Sequence, residues 1–175
     1  MTTRVPGATA DAALSPMDPE INLDPAKLSL QKEAVRRFYK RMWDQGEISL
    51  IPDLFHKDFT FRGSLGPMLV GHAQFAEYVR WVTGTLDDYT SDILALVEED
   101  HRVVAKLRFQ GRQCKSLFGR PPTGKLVWWN GTGIFSFDGA KIRDLWVLGD
   151  IHGLLGRLDG RPLQVAEFAV GRMDQ

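Results

Sequence analysis

Strict alternation of side-chain character runs through residues 102–110, RVVAKLRFQ, and this stretch decides the fold class. Its apolar set comprises Val103, Ala105, Leu107 and Phe109, and its polar set comprises Arg102, Lys106, Arg108 and Gln110. A period of two with one apolar side is typical of a sheet strand that has one buried face and one exposed face. Only Val104 breaks the pattern. We therefore predict a long strand over residues 102–114.

More strands are predicted on both sides of this stretch, at residues 59–62, 90–98, 125–137 and 140–148. The last two are joined by an Asp138-Gly139 hairpin turn. Asn130-Gly131 is also a hairpin signal and would break the strand that contains it. We prefer one bent strand there, because Gly131 and Gly133 then share a face, let the sheet curve and leave interior room.

The first half of the chain follows a helical period instead. A helix is predicted from Ser29 to Gly46, with an apolar stripe made of Val35, Phe38, Tyr39, Met42 and Trp43. Further helices are predicted at residues 48–55, 72–83 and 151–158. Helices followed by a meander of long strands predict an α+β fold. In it, three N-terminal helices pack with a cone-shaped, curved and mostly antiparallel sheet around an apolar pocket.

Length and composition predict one domain with two extensions. Residues 1–26 are rich in Pro, Ala, Thr and Asp without periodicity, which predicts a flexible N-terminal tail. Residues 27–160 would form the cone domain and residues 161–175 a C-terminal extension. No apolar run approaches the ~20 residues that cross a bilayer, and no signal-peptide core is visible. We expect a cytoplasmic protein without a membrane partner.

Charge and motif content exclude several function classes. Lys plus Arg and Asp plus Glu are balanced at 22 each, so no net field would attract nucleic acid. Cys114 is the only cysteine, which excludes an internal disulfide and a thiolate metal cluster. The four histidines lack metal-ligand spacing, and no glycine-rich phosphate loop is present. We therefore expect neither a metal nor another cofactor.

Asp150 is the candidate acid/base group. Strict alternation along the last strand would place Trp146, Leu148 and Asp150 on one face with Ile142. If that face lines the pocket, desolvation raises the pKa of the carboxyl group and suits it to proton transfer near neutral pH. The alternative is that Asp150 caps the following helical turn through its backbone N–H groups. Spacing alone favours the cap slightly.

Aromatic residues beside glycines suggest a cavity for a flat hydrophobic ligand, with ordinary core packing as the alternative. The strand that precedes Asp138 carries Val127, Trp129, Gly131, Gly133, Phe135 and Phe137 on one face. The substrate-binding residues that we predict are Trp146, Trp129, Phe135, Phe61 and Tyr78, with Gln110 and Arg112 as polar groups. Trp128 lies on the opposite face and is a candidate for a dimer interface.

Three motifs carry a family resemblance: PPTGK at residues 121–125, DGAKI at 138–142 and WVLGDIHGLL at 146–155. They resemble the SnoaL-like polyketide cyclase, or ester cyclase, family, most strongly over residues 108–158. The resemblance implies a nuclear-transport-factor-2-like cone fold that usually assembles as dimers or higher oligomers, and we expect a homodimer that binds a small hydrophobic ligand. It also favours Asp150 as the catalytic aspartate over the capping alternative.

Two positions depart from the family pattern. Cyclases that close an aromatic ring by an aldol step pair the aspartate with a histidine on the adjacent strand, where this sequence has Gly133. Gln113 stands where a second histidine is often found. We therefore predict a cyclase- or isomerase-type enzyme in which Asp150 moves a proton of a hydrophobic carbonyl compound. One alternative is a non-catalytic binder of a small hydrophobic ligand.

A further alternative is an epoxide-hydrolase-like enzyme on the same fold. That chemistry needs two aspartates that orient a water molecule, with an arginine between them. Asp144, Asp150 and Arg143 are close in sequence, but Arg143 should face away from the other two. We rank this alternative last.

Overall fold

The structure is a computed structural model that describes residues 21–161. The described helices are α1 (Leu30–Arg37), α2 (Ile51–Leu54), α3 (Gly71–Thr85) and α4 (Ile151–Leu158). The strands are β1 (Phe55–Arg62), β2 (Met68–Val70), β3 (Leu86–Glu99), β4 (Arg102–Gln113), β5 (Leu126–Asp138) and β6 (Lys141–Gly149). The predicted tail up to residue 20 and the predicted extension beyond Arg161 lie outside the described residues. None of the described helices is long and apolar enough to span a bilayer.

Helix α1 begins as its sequence predicts. The Ser29 hydroxyl accepts a hydrogen bond from the backbone N–H of Lys32 at 3.1 Å, which caps the first turn. The helix continues into a π-helical segment, Phe38–Trp43. Gly46 follows the helical segment with a φ of +71°. The predicted apolar stripe, Val35, Phe38, Tyr39, Met42 and Trp43, is buried along its whole length.

The six described strands form one mixed sheet in the order β2-β1-β6-β5-β4-β3. β1 runs parallel to β6, and every other neighbouring pair is antiparallel. β5 is continuous across Asn130-Gly131, so the prediction of one bent strand is confirmed. The predicted α+β architecture is confirmed as well. Val103, Ala105, Leu107 and Phe109 are buried on the face of β4 that meets the helices, which we call the inner face.

Strand β6 contains one residue more than its partner requires. Ser136 of β5 pairs with Asp144, and Phe137 pairs with Ile142. Arg143 is therefore left as an extra residue between the two pairs. Such a bulge inverts the alternation of side chains beyond it, because the side-chain period of a strand is two.

The bulge corrects our assignment of faces in β6. Ile142 and Leu145 are both fully buried, although strict alternation would place them on opposite faces. Trp146 is 47% exposed and Leu148 is 61% exposed, so both point away from the helices. The prediction that Trp146, Leu148 and Asp150 share the inner face with Ile142 is wrong.

Candidate functional site

A cavity of about 40 Å³ lies between the inner face, the helical segment Phe38–Trp43, helix α3 and the loop that joins β1 to β2. Its lining residues are Phe38, Tyr39, Trp43, Phe61, Gly63, Ser64, Leu65, Tyr78, Val82, Tyr89, Phe109, Trp129, Val147 and Gly149. None of these lining residues carries a carboxylate or an imidazole. A cavity needs a volume of roughly 10–15 Å³ to hold one water molecule, and an engineered cavity that binds benzene has a volume of ~150 Å³. A ring-sized ligand can therefore enter only if part of the wall moves.

Three tyrosines, Tyr39, Tyr78 and Tyr89, belong to the cavity wall. Burial raises the pKa of Tyr39, Tyr78 and Tyr89 above the ordinary value for a phenol. Because desolvation disfavours the phenolate form, all three hydroxyl groups stay protonated at neutral pH. The aromatic wall of the cavity therefore contains three neutral phenol side chains.

Ser64 fastens the β1–β2 loop to the end of β6. Its hydroxyl accepts a hydrogen bond from the backbone N–H of Gly149 at 2.6 Å and donates one to the carbonyl of Val147 at 2.9 Å. Leu65, the next residue of the loop, lines the cavity. The loop is thus one wall of the cavity, and two hydrogen bonds hold it in place.

The structure places Phe61, Tyr78 and Trp129 on the wall of the cavity. Phe135 is fully buried but lies outside the lining, and its ring centroid is 5.8 Å from that of Tyr39. Phe135 therefore supports a cavity residue from behind. It does not itself face the space that a ligand would fill.

Trp146, Gln110 and Arg112 lie on the outer face of the sheet and are not brought to the cavity. The bulge in β6 turns Trp146 outward. Gln110 and Arg112 alternate with the buried residues of β4, so they point outward too. Gln110 donates a hydrogen bond to the Thr90 hydroxyl at 3.0 Å, and Arg112 donates one to the Gly124 carbonyl at 2.9 Å.

Asp150 has an exposed side chain that caps helix α4. Its Oδ1 atom accepts a hydrogen bond from the backbone N–H of Gly153 at 2.8 Å. Its own N–H donates to the carbonyl of Asn130 at 2.8 Å. The geometry is that of the capping alternative, and the desolvated environment that we expected around the carboxylate is not found. Gly149, the preceding residue, does line the cavity.

Two glycines of β5 allow aromatic rings to approach the strand closely. A methyl group on Gly131 would lie 2.6 Å from the ring of Phe109, and one on Gly133 would lie 2.6 Å from the hydroxyl of Tyr39. Both distances are far below van der Waals contact. The prediction that these glycines leave interior room is therefore wrong, since Phe109 and Tyr39 fill that space.

Gln113 holds a loop in place through hydrogen bonds of its side chain. Its side chain is fully buried and donates hydrogen bonds to the carbonyls of Arg120 and Pro121 at 3.2 and 3.1 Å. The Thr123 hydroxyl donates to its Oε1 atom at 3.0 Å. Gln113 thereby fixes the loop that contains the PPTGK motif, and it does not line the cavity.

Trp128 lies on the outer face and is covered by two arginines. The guanidinium carbon of Arg157 is 3.4 Å from the ring centroid, and that of Arg108 is 4.5 Å away. These distances are typical of cation–π contacts.

No cluster of histidine, cysteine and acidic side chains that could hold a metal ion occurs among residues 21–161.

Sequence reasoning missed Tyr39, Tyr89 and Ser64 as cavity residues. The available signal was the polar hydroxyl of Tyr39 within an otherwise apolar helical stripe. A buried hydroxyl group usually has a hydrogen-bond partner, so a tyrosine in an apolar stripe indicates a polar group inside the core. Ser64 gave no such signal, because serine is common in loops that contain glycine and proline.

Comparisons with known proteins agree with the motifs. The model of the SnoaL-like polyketide cyclase family matches residues 33–158. No curated protein matches the sequence. A SnoaL-like polyketide cyclase from Agrobacterium tumefaciens has a TM-score of 0.63 at 16% identity, over 75% of this chain and 99% of that chain.

Two further solved structures have the same fold. TsrD from Streptomyces laurentii has a TM-score of 0.66 at 21% identity, over 81% of this chain and 100% of that chain. A Catenulispora acidiphila protein with a ketosteroid isomerase-like fold has a TM-score of 0.62 at 15% identity, over 74% and 94%. The family match covers most of the chain and includes every residue of the cavity lining, from Phe38 to Gly149. The chain therefore belongs to the SnoaL-like polyketide cyclase family.

Proposed function

We propose that this protein is a cyclase-type enzyme that acts on a small hydrophobic carbonyl compound bound in the cavity. Membership of the family supports a cyclase-type function on a small molecule. The residues of the cavity wall are the observation on which the proposed substrate class depends. Aromatic rings favour a flat apolar body, and neutral tyrosine hydroxyls favour an oxygen atom that accepts hydrogen bonds.

The proposed chemistry is removal of a proton from a carbon atom next to the carbonyl group. Negative charge then develops on the carbonyl oxygen. Hydrogen-bond donors that are already in position stabilise this charge, and an apolar surrounding strengthens the interaction. The protonated tyrosine hydroxyls of the cavity wall are donors of this kind.

Asp150 remains the proposed proton acceptor, because it directly follows Gly149 of the cavity wall. In the present conformation its carboxylate is bonded to the N–H of Gly153 at the start of α4. Proton transfer by Asp150 therefore requires the carboxylate to leave this cap when a substrate is bound. This requirement separates ligand binding, which depends on the cavity, from proton transfer, which depends on Asp150.

The second candidate is a non-catalytic binder of a small hydrophobic ligand. One observation favours it: the residues that line the cavity include no carboxylate and no imidazole. Binding needs only the aromatic wall and its donors, whereas proton abstraction needs a base within reach of the ligand.

Deuterium exchange of a simple ketone tests the two candidates together. 1-Indanone is a flat hydrophobic ketone with exchangeable protons next to its carbonyl group. Its exchange in D₂O is followed by NMR with the wild type, with Asp150→Asn and with Val147→Phe, which fills part of the cavity. We expect the wild type to accelerate exchange and the Val147→Phe variant to lose both binding and exchange. Removal of a general base should lower the rate by ~100-fold or more in Asp150→Asn.

The outcomes separate the proposals. Binding of 1-indanone without accelerated exchange by the wild type supports the non-catalytic binder. Accelerated exchange that persists in Asp150→Asn contradicts the role of Asp150 and leaves the cavity as the site. Absence of binding contradicts the proposed substrate class.

Assembly and location also belong to the proposal. We propose a homodimer, as the family resemblance implies, and a cytoplasmic location, which the single cysteine favours. Trp146 and Leu148 of the outer face are exposed, while Trp128 is covered by its two arginines. Sedimentation equilibrium of the purified protein tests the dimer directly, because a monomer mass at micromolar concentration contradicts it.

A further inference from the structure

Gly153 is a glycine in a helix whose backbone does not require one. It lies in the first turn of α4 and is buried, and it is not among the glycines with a positive φ. Glycine makes a helix less stable than alanine does at the same position. The missing side chain of Gly153, rather than its backbone, is therefore the feature that needs a physical reason.

The carboxyl group of Asp150 occupies the space that a side chain at position 153 would take. A methyl group on Gly153 would overlap the Oδ2 atom of Asp150 and would lie 2.8 Å from its carboxyl carbon. The Oδ1 atom of the same group accepts the hydrogen bond from the Gly153 N–H at 2.8 Å. One oxygen thus caps the helix while the other lies against the bare face of Gly153. Only glycine at this position leaves room for the carboxylate in this orientation.

The guanidinium group of Arg157 borders the same space. Its Nη1 atom would lie 2.6 Å from a methyl group on Gly153, so it is at most 5.4 Å from the Asp150 carboxyl carbon, the sum of the two distances. Opposite charges at such a separation attract each other. The Arg157 guanidinium carbon is also 3.4 Å from the ring centroid of Trp128. The stacked tryptophan therefore holds the cation beside the carboxylate.

This arrangement keeps the carboxylate of Asp150 out of the cavity. Asp150, Gly153 and Arg157 are not lining residues, whereas Gly149, directly before Asp150, is one. The backbone of Asp150 is fixed, because its N–H donates to the carbonyl of Asn130 at 2.8 Å. Rotation about the side-chain bonds of Asp150 is therefore the motion that changes where its carboxylate lies.

We propose that Gly153 and Arg157 are positioning residues that hold the Asp150 carboxylate in the cap and so set how often it is available for proton transfer. The inference rests on the proposed function, in which Asp150 must leave the cap to act. A weaker hold leaves the carboxylate free for a larger fraction of the time and raises turnover. Substrate binding stays the same, because neither positioning residue contacts the cavity.

Gly153→Ala tests the proposal, since it displaces the carboxylate without altering Asp150 itself. The rate of deuterium exchange of 1-indanone is measured as a function of ketone concentration, which separates kcat from KM. We expect kcat to rise about fivefold, the factor that corresponds to the loss of one typical cap, and KM to stay unchanged. Arg157→Gln should raise kcat by a smaller factor, about twofold, because ion pairs near the surface are weak.

Gly156→Ala is the matched control. It adds the same methyl group to the same helix, and position 156 lies about 9 Å further along the helix axis than Asp150. It therefore reports the general effect of alanine on α4 and should leave kcat unchanged. The double variant Gly153→Ala/Asp150→Asn should show no gain over Asp150→Asn, because the gain acts through the carboxylate.

Thermal unfolding gives a second readout that does not depend on activity. Asp150→Ala should lower the thermal midpoint of the wild type, because it removes the cap. In the Gly153→Ala background the same substitution should change the midpoint little, since the carboxylate has already been displaced. An equal loss in both backgrounds would show that the carboxylate stays in the cap despite the methyl group, which overturns the inference.

The kinetic outcomes separate this inference from the proposed function. An unchanged kcat in a folded Gly153→Ala variant that has lost the cap overturns the inference, while the proposed function stands. A gain that persists in the double variant also overturns it, because the effect then does not act through Asp150. Failure of the wild type to accelerate exchange overturns the proposed function and, with it, this inference.

Discussion

The two faces of the sheet differ in chemistry more than in hydrophobicity. The inner face meets aromatic rings and protonated tyrosines such as Tyr39, whereas the outer face carries arginines, exposed apolar residues such as Trp146 and, at its end, Asp150. A charge is easily accommodated on the outer face because water solvates it, and it is costly on the inner face. The charged candidate and the neutral candidates for catalysis thus lie in different environments.

The largest contrast should come from removing an aromatic ring on each face. Phe135→Ala deletes a fully buried ring that packs against Phe38 and Tyr39 at centroid distances of 5.5 and 5.8 Å. We expect the free energy of unfolding to fall by about 3–5 kcal/mol, as is typical for such truncations. Trp146→Ala on the outer face should cost less than about 1 kcal/mol. Urea denaturation measures both, and equal losses would contradict the assignment of faces.

The tyrosines of the inner face predict a loss of stability in alkali. Burial raises the folded-state pKa of Tyr39, Tyr78 and Tyr89 above the value of about 10 in the unfolded chain. Below pH 10 both states keep these protons and the stability is complete. Above pH 10 the unfolded chain releases them first, so each tyrosine lowers the free energy of unfolding by about 1.4 kcal/mol per pH unit.

Urea denaturation at pH 8 and at pH 11 tests this linkage. Tyr78→Phe should reduce the loss between the two pH values by about 1.4 kcal/mol, since one titrating group is gone. A loss that is unchanged in this variant would show that Tyr78 titrates normally in the folded protein.

A smaller effect is expected at Asp150, where capping and catalysis can be separated. Asp150→Ala removes the side chain that accepts from the Gly153 N–H, and it should cost about 1 kcal/mol of stability. Asp150→Asn should leave stability nearly unchanged, because asparagine caps helices as well as aspartate does. A loss of ketone exchange in this equally stable variant would therefore report proton transfer rather than folding.

Sequence reasoning was sufficient for the fold because the fold depends on periodicity. The apolar residues that alternate along β4 and the apolar stripe from Val35 to Trp43 are visible in the chain itself, and both sets are buried as predicted. The faces of β6 could not be predicted in the same way. The bulge at Arg143 is not marked by any pattern in the sequence of β6. It nevertheless reverses the alternation of side chains beyond it and turns Trp146 outward.

The candidate site depends on contacts between distant parts of the chain. The hydroxyl of Tyr39 and the backbone of Gly133 meet across 94 residues of sequence, 133 minus 39, and no local pattern in either segment reports the contact. A glycine in a strand predicted curvature and space, but a ring from the helical segment Phe38–Trp43 occupies that space. The same sequence pattern is compatible with a vacant and with a filled pocket, so only the packing distinguishes them.

The smallest effect on stability should come from the loop that closes the inner side. Ser64→Ala removes the hydrogen bonds to Gly149 and Val147, which are partly exposed, so water can replace them at a cost below about 1 kcal/mol. The cavity holds only about 40 Å³, so entry of 1-indanone requires part of its wall to move, and the loop held by Ser64 is the part that we propose. We therefore expect Ser64→Ala to raise the association rate several-fold, measured by stopped-flow fluorescence of the tryptophans in the wall. Ser116→Ala, on an exposed loop outside the cavity, is the control, and equal rates in the two variants would place the entry route elsewhere.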